Sequence, residues 1–91
     1  HSQVHAGGYE RVWSSAVSAL NQMNIRVIKT EKDALSGTIT ARRADDTSVV
    51  VKVEPTGTDT TTVKVRVGMF GDRAVSESIQ ARIVSVLRGG K

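Results

Sequence analysis

The stretch from Gly68 to Asp72, Gly-Met-Phe-Gly-Asp, is the part of this 91-residue chain most similar to a phosphate-binding loop. Backbone amides at the start of a helix, preceded by glycine, can hold a phosphate group. The Walker loop, however, requires a longer glycine spacing and a Gly-Lys-Ser/Thr end, and the dinucleotide fingerprint requires a third glycine. The Asp72 carboxylate would itself cap the free amides and repel an anion. We therefore interpret Gly68, Gly71 and Asp72 as a structural turn and helix cap that binds no cofactor, with Phe70 folded back onto the edge of the core.

The two histidines, His1 and His5, both fall in an opening segment without periodicity that ends in two glycines. A metal site needs three or four convergent ligands on a rigid frame, and a serine nucleophile needs a fixed base. Carboxylate pairs such as Asp45-Asp46 are typical of turns, and the chain has no cysteine to act as a nucleophile or metal ligand. We predict no metal site, no catalytic residue and no enzymatic activity.

Two segments have the 3.6-residue period of an amphipathic helix. Asp72 precedes the second segment as a predicted N-cap, and Gly89 follows it. Because both apolar stripes must be buried, we expect Tyr9 and Trp13 to belong to the core rather than to a ligand platform. The stripes consist of Tyr9, Val12, Trp13, Ala16, Val17, Leu20 and Met23 in the first segment, and of Val75, Ile79, Ile83, Val86 and Leu87 in the second.

Between the two helices the period changes to two, which predicts four strands with one apolar and one polar face. The connections are short, so successive strands should pair as antiparallel hairpins in a meander. The predicted strands are residues 25–30, 37–43, 48–54 and 60–68.

The predicted fold class is α+β: a two-layer sandwich in which an N-terminal and a C-terminal helix pack on one face of a four-stranded antiparallel sheet. A chain of this length forms one domain with one thin core. We expect residues 1–8 to be a flexible lead-in, residues 9–88 to be the single domain, and residues 89–91 to be a tail.

The polar face of the predicted sheet carries a basic patch without a carboxylate, and the chain has a net charge of +4. Such a patch can meet phosphates or lipid headgroups, although it is also what a solvated sheet face looks like. Sheet-based RNA readers stack bases on exposed aromatics, and the aromatics here lie off this face, which argues against a nucleic-acid partner. The patch consists of Arg26, Arg42, Lys52, Lys64 and Arg66.

Three motifs stand out in the chain: Arg-Val-Gly-x-Phe-Gly-Asp at Arg66–Asp72, which is the most specific, Tyr-x-x-Val-Trp at Tyr9–Trp13 and Gly-x-Ile-x-Ala at Gly37–Ala41. Together they resemble a family of small bacterial envelope lipoproteins classed as a domain of unknown function. The resemblance covers residues 9–87 and implies a periplasmic or cell-envelope location. It also implies a tether through an export signal and a lipid-accepting cysteine, neither of which is present in this chain.

These features lead us to expect a non-catalytic envelope domain that binds an unidentified protein partner or acts as a scaffold, through the open sheet face or an edge strand. The alternative is a module that binds an anionic polymer or lipid headgroup through the basic patch. Raising the salt concentration would weaken the second kind of binding far more than the first.

Overall fold

Seven elements make up the protein in a computed structural model that describes residues 1–89. They are β1 (Ser2–Ala6), α1 (Tyr9–Gln22), β2 (Arg26–Lys32), β3 (Gly37–Arg42), β4 (Ser48–Gly57), β5 (Thr60–Val67) and α2 (Arg73–Leu87). The strands form one antiparallel sheet in the order β1-β5-β4-β3-β2. The α+β class and the antiparallel meander from β2 to β5 are confirmed.

The prediction of four strands is wrong, because the segment expected to be a flexible lead-in contains a fifth strand. β1 pairs antiparallel with β5, and Gln3 and His5 lie opposite Val63 and Thr61 on the helix side of the sheet. Both inward-facing side chains of β1 are polar, so this strand has none of the apolar alternation that identifies the other four. Backbone hydrogen bonds to β5 hold it instead.

One apolar core fills the space between the sheet and the two helices, which share a face of the sheet as predicted. The six inward-facing valines of β4 and β5 are almost completely inaccessible to water. Full burial of such a side chain stabilises a fold by about 1.5–3 kcal/mol. The other core residues are Val12, Ala16, Ala19, Leu20, Ile25, Ile39, Ala41, Ile79, Ile83 and Leu87.

Two aromatic side chains, Tyr9 and Trp13, fix the start of α1 to the β2–β3 end of the sheet. The Trp13 ring packs directly over Gly37 at the start of β3, and the Tyr9 hydroxyl donates to the Asp33 carbonyl at 2.8 Å. Lys32 Nζ lies 2.6 Å from Glu10 Oε2 and 5.1 Å from the centre of the Tyr9 ring. Tyr9 and Trp13 therefore pack at the border of the core, in agreement with their place in the apolar stripe.

Two side-chain hydrogen bonds also link the two helices. The Arg11 guanidinium donates to the Leu87 carbonyl, and Arg82 donates to the Gln22 side chain at 3.3 Å. Neither helix in the described residues is long and apolar enough to cross a membrane. Of the predicted tail at 89–91, only Gly89 belongs to the described residues, and it has a left-handed φ of 84°.

Candidate protein-interaction edge and groove

The loop from Gly68 to Asp72 is a turn at the start of α2, and the free amides at that helix end are already capped by the Asp72 side chain. Asp72 Oδ1 accepts a hydrogen bond from the Val75 amide at 3.0 Å, and φ is positive at both Gly68 (72°) and Gly71 (76°). The carboxylate thus takes the place that a phosphate would need. The expectation for Phe70 is wrong: its side chain is 95% exposed. The two left-handed glycines reverse the chain beyond the end of the sheet, so the tip between them points into solvent.

Two aspartates that could suggest acid–base chemistry act as turn formers. The Leu35 and Ser36 amides donate to Asp33 Oδ1 and lower the pKa of that carboxyl. The Thr47 hydroxyl and amide lower the pKa of Asp45 in the same way. Both carboxyls are exposed, and they remain ionised acceptors for their own loops.

His5 is buried in the folded domain, which contradicts its assignment to a flexible opening. The ring is 2% exposed, and its Nε2 lies 2.7 Å from Gln80 Oε1 in α2. Gln80 Nε2 donates to the Val63 carbonyl at 2.8 Å, so Gln80 Oε1 is the acceptor and His5 Nε2 carries the proton. Within residues 1–89 no serine hydroxyl bonds to this ring and no three His, Asp or Glu side chains converge on a metal position. The histidine joins β1 to α2.

The strand register places all five predicted cations on the open face of the sheet. Arg26 lies opposite Arg42, and Lys52 lies opposite Lys64. The patch is less basic than expected, because the expectation of a face without carboxylates is wrong. Glu54 lies on the same face, and its Oε1 accepts no hydrogen bond of good geometry but lies 3.1 Å from Lys64 Nζ.

The sequence pattern missed a second carboxylate on this face because β2 contains a bulge. The register shifts between Val27 and Lys29, which places Lys29 and Glu31 on the open face with 3.5 Å between their charged atoms. Arg42 is similarly near Asp46, at 3.8 Å. Local ion pairs therefore offset part of the positive charge.

The two edges of the sheet differ in how well they resist the addition of another strand. β2, at one edge, carries the bulge and four charged side chains, Arg26, Lys29, Glu31 and Lys32, and such features discourage edge pairing. β1, at the other edge, is a regular strand of five residues, Ser-Gln-Val-His-Ala, with no proline, lysine or carboxylate. Val4 in its centre is 61% exposed.

The hydrogen-bonding groups of β1 can be assigned to its two sides from the pairing with β5. His1 exchanges both backbone bonds with Val65, and the Gly7 amide donates to the Asp59 carbonyl at 2.7 Å. In an antiparallel ladder, hydrogen-bonded and non-hydrogen-bonded residues alternate, so the backbone N–H and C=O groups of Gln3 and His5 also point toward β5. The N–H and C=O groups of the intervening residues, Ser2, Val4 and Ala6, consequently point away from the sheet.

A groove runs between this free edge and α2. Near the end of β1 it contains a cavity of about 270 Å³ lined by apolar side chains of α2 and by the strand itself. Arg88, the residue after α2, lies at the same end. The lining residues include Gln3, His5, Ala6, Val84, Leu87 and Arg88.

Comparison with protein families identifies the domain to which this edge and groove belong. A family described as "Protein of unknown function (DUF3568)" matches residues 2–85. The chain belongs to the DUF3568 family. No curated protein matches the chain.

The DUF3568 match begins at residue 2, so it includes β1 as well as the helices and the other four strands. Both walls of the groove up to Ser85 are therefore part of the family domain. The signal that could have revealed β1 is its alternation of Gln3 and His5 with small or apolar neighbours, which is a weak pattern in a strand this short.

Proposed function

We propose that this DUF3568 domain is a non-catalytic protein-interaction module that binds an extended segment of a partner protein as a sixth strand beside β1. The observation that carries the proposal is the open edge of β1, with outward-pointing peptide groups at Ser2, Val4 and Ala6. Strand addition of this kind takes its affinity from main-chain hydrogen bonds and its specificity from pockets for alternate side chains.

The contrast between the two edges supports this use of β1. Native sheets protect edge strands with charges, bulges or covering segments because an open edge pairs with other chains. This protein protects β2 in that way and leaves β1 uncharged along its five residues. Each outward-facing residue offers one donor and one acceptor, and a typical hydrogen bond contributes about 0.5–1.5 kcal/mol net. A short added strand would thus bind reversibly.

We also propose that the domain works in the bacterial cell envelope, tethered by a lipid anchor upstream of residue 1. The resemblance of Arg66–Asp72 and Tyr9–Trp13 to envelope lipoproteins supports this location. The sequence of the precursor tests it: an export signal followed by a lipid-accepting cysteine is the expected result, and a precursor without them would contradict the proposal.

A second candidate function is binding of an anionic polymer or lipid headgroup on the open face. It is favoured by two like-charged pairs, Arg26 with Arg42 and Lys52 with Lys64, which lie directly opposite each other. Opposed like charges destabilise a sheet and are relieved by an anionic ligand. Glu54 and Asp46 reduce that charge locally, which is why we rank this function second.

Selection from a random-peptide library tests the leading proposal. Peptides selected on the immobilised domain would be labelled, and their affinities measured by fluorescence polarisation for the native protein and for Val4→Pro. Proline at position 4 removes an outward N–H but no bond to β5, so it blocks the added strand and spares the sheet. We expect the affinity to fall by about tenfold or more.

The matched control is Thr30→Pro on β2. The Asp33 amide donates to the Ser36 carbonyl, which makes this a hydrogen-bonded pair of the ladder. Because hydrogen-bonded and non-hydrogen-bonded residues alternate along β2, the Thr30 N–H points away from β3, out of the opposite edge of the sheet. This variant should bind the peptides normally. Loss of binding in Thr30→Pro but not in Val4→Pro would overturn the proposal, as would a failure to select any peptide sensitive to Val4→Pro. If the affinity for the selected peptides fell steeply as the salt concentration rose, and the affinity for polyphosphate fell in the same way, the result would favour binding on the basic face.

A further inference from the structure

We infer that the groove between β1 and α2 selects the segment that binds there: an acidic side chain two positions before an apolar one, with the acid held by Arg88. This inference rests on the proposed strand addition and names the chemistry of the partner.

Helix α2 lies alongside β1 from the start of the strand to its end. His1 shares a cavity with Arg73 and Ser76 at the start of α2, and His5 bonds to Gln80 in its middle. At the end of β1, Gly7 approaches Leu87. The strand and the helix therefore run in the same direction. Every second side chain of a strand added to β1 would point toward the helix, into the groove.

The end of the groove near Leu87 suits an aliphatic side chain. Val84 is half-buried and Leu87 is 8% exposed, and together they form an apolar wall beside Ala6. The cavity of about 270 Å³ is smaller than a typical pocket for a drug-sized molecule. It has room for a side chain of a bound peptide, and burial of that side chain would supply the apolar part of the binding.

Arg88 supplies a positive charge at the same end. It makes no ion pair within residues 1–89, whereas Arg73 at the other end of the helix is held by Glu77 at 2.8 Å. An arginine can bind a carboxylate through two parallel hydrogen bonds. A carboxylate on the added segment is therefore the natural partner of Arg88.

The positions of these two features set the spacing of the ligand. Along the direction of β1, the apolar wall of Val84 comes before Arg88. Adjacent side chains on one face of a strand are two residues apart. In a segment that runs antiparallel to β1, as every pair in this sheet does, the acid comes first and the apolar residue follows two positions later.

A charge-swap experiment tests the inference with two synthetic peptides, Thr-Val-Thr-Asp-Thr-Leu-Thr and the same peptide with Lys in place of Asp. The native protein should bind the Asp peptide about tenfold more tightly than the Lys peptide, and Arg88→Glu should reverse this preference. Arg88 is exposed at the end of the helix, so the thermal melt of the variant should match that of the native protein. Arg26→Glu, on the distant strand β2, is the control and should leave the preference unchanged.

The possible outcomes separate this inference from the proposed function. An unchanged preference in Arg88→Glu, together with loss of both peptides in Val4→Pro, would overturn the role of Arg88 and leave strand addition intact. Failure of Val4→Pro to weaken any bound peptide would overturn both. If neither synthetic peptide binds, the sequences of the peptides selected from the library provide the test. Selected peptides that lack an acidic residue two positions before an apolar one would contradict the inference.

Discussion

At Gly37 the absence of a side chain lets the Trp13 ring pack closely against the start of β3. A Cβ built on this glycine would overlap the ring. The close approach of Trp13 therefore explains why a glycine occupies a buried position in a strand otherwise rich in branched side chains. The helical stripe predicted that Trp13 faces the sheet. The sequence could not predict that Gly37 is the residue it covers, because that contact depends on how α1 crosses the strands.

Replacement of Gly37 by alanine should destabilise the protein by about 1–3 kcal/mol, since the added methyl group must displace an aromatic ring packed between elements. Urea unfolding followed by Trp13 fluorescence measures the change. Gly8→Ala is the control, because a Cβ at Gly8 meets no atom within 4 Å, and its effect should stay within about 0.5 kcal/mol. Equal effects of the two substitutions would contradict this packing.

At the scale of elements, β1 is the strand that the sequence pattern could not reveal. Periodicity was sufficient for both helices and for β3 to β5, where inward positions are mostly apolar, and the alternation of Ile25 and Val27 revealed the start of β2. In β1 the inward positions are Gln3 and His5, and the strand is held by backbone bonds and by the contact between His5 and Gln80. A buried polar pair such as His5 and Gln80 can be recognised only once the positions of β1 and α2 in the fold are known.

The bond between His5 and Gln80 should appear as an energetic coupling between β1 and α2. His5→Leu leaves Gln80 Oε1 without its donor in a buried place, which should cost about 1–3 kcal/mol. Gln80→Leu should cost a similar amount, and the double variant should cost less than the sum of the two. Urea unfolding of the three variants gives the coupling free energy. Strictly additive effects would show that the pair does not hold β1 in place.

For the whole molecule, the sequence located the basic face but not the edge that we propose to be functional. Alternation placed Arg26, Arg42, Lys52, Lys64 and Arg66 on one face, and the register agrees. Glu54 is the last residue of the predicted third strand and continues its outward alternation, so the sequence already placed it on that face, whereas Glu31 escaped prediction because β2 changes register at its bulge. The free edge could not be predicted at all, since it depends on which strand is outermost.

Residue-resolved amide hydrogen exchange of the intact domain, with and without a selected peptide, tests the central claim most directly. In the free protein the amides of Ser2, Val4 and Ala6 should exchange rapidly, while those of Gln3 and His5, which donate to β5, should be protected. With the peptide bound, the first group should slow by about tenfold or more, and amides on β2 should not change. Protection that instead appears on β2 or on the loops, with Ser2, Val4 and Ala6 still exchanging freely, would contradict strand addition at β1.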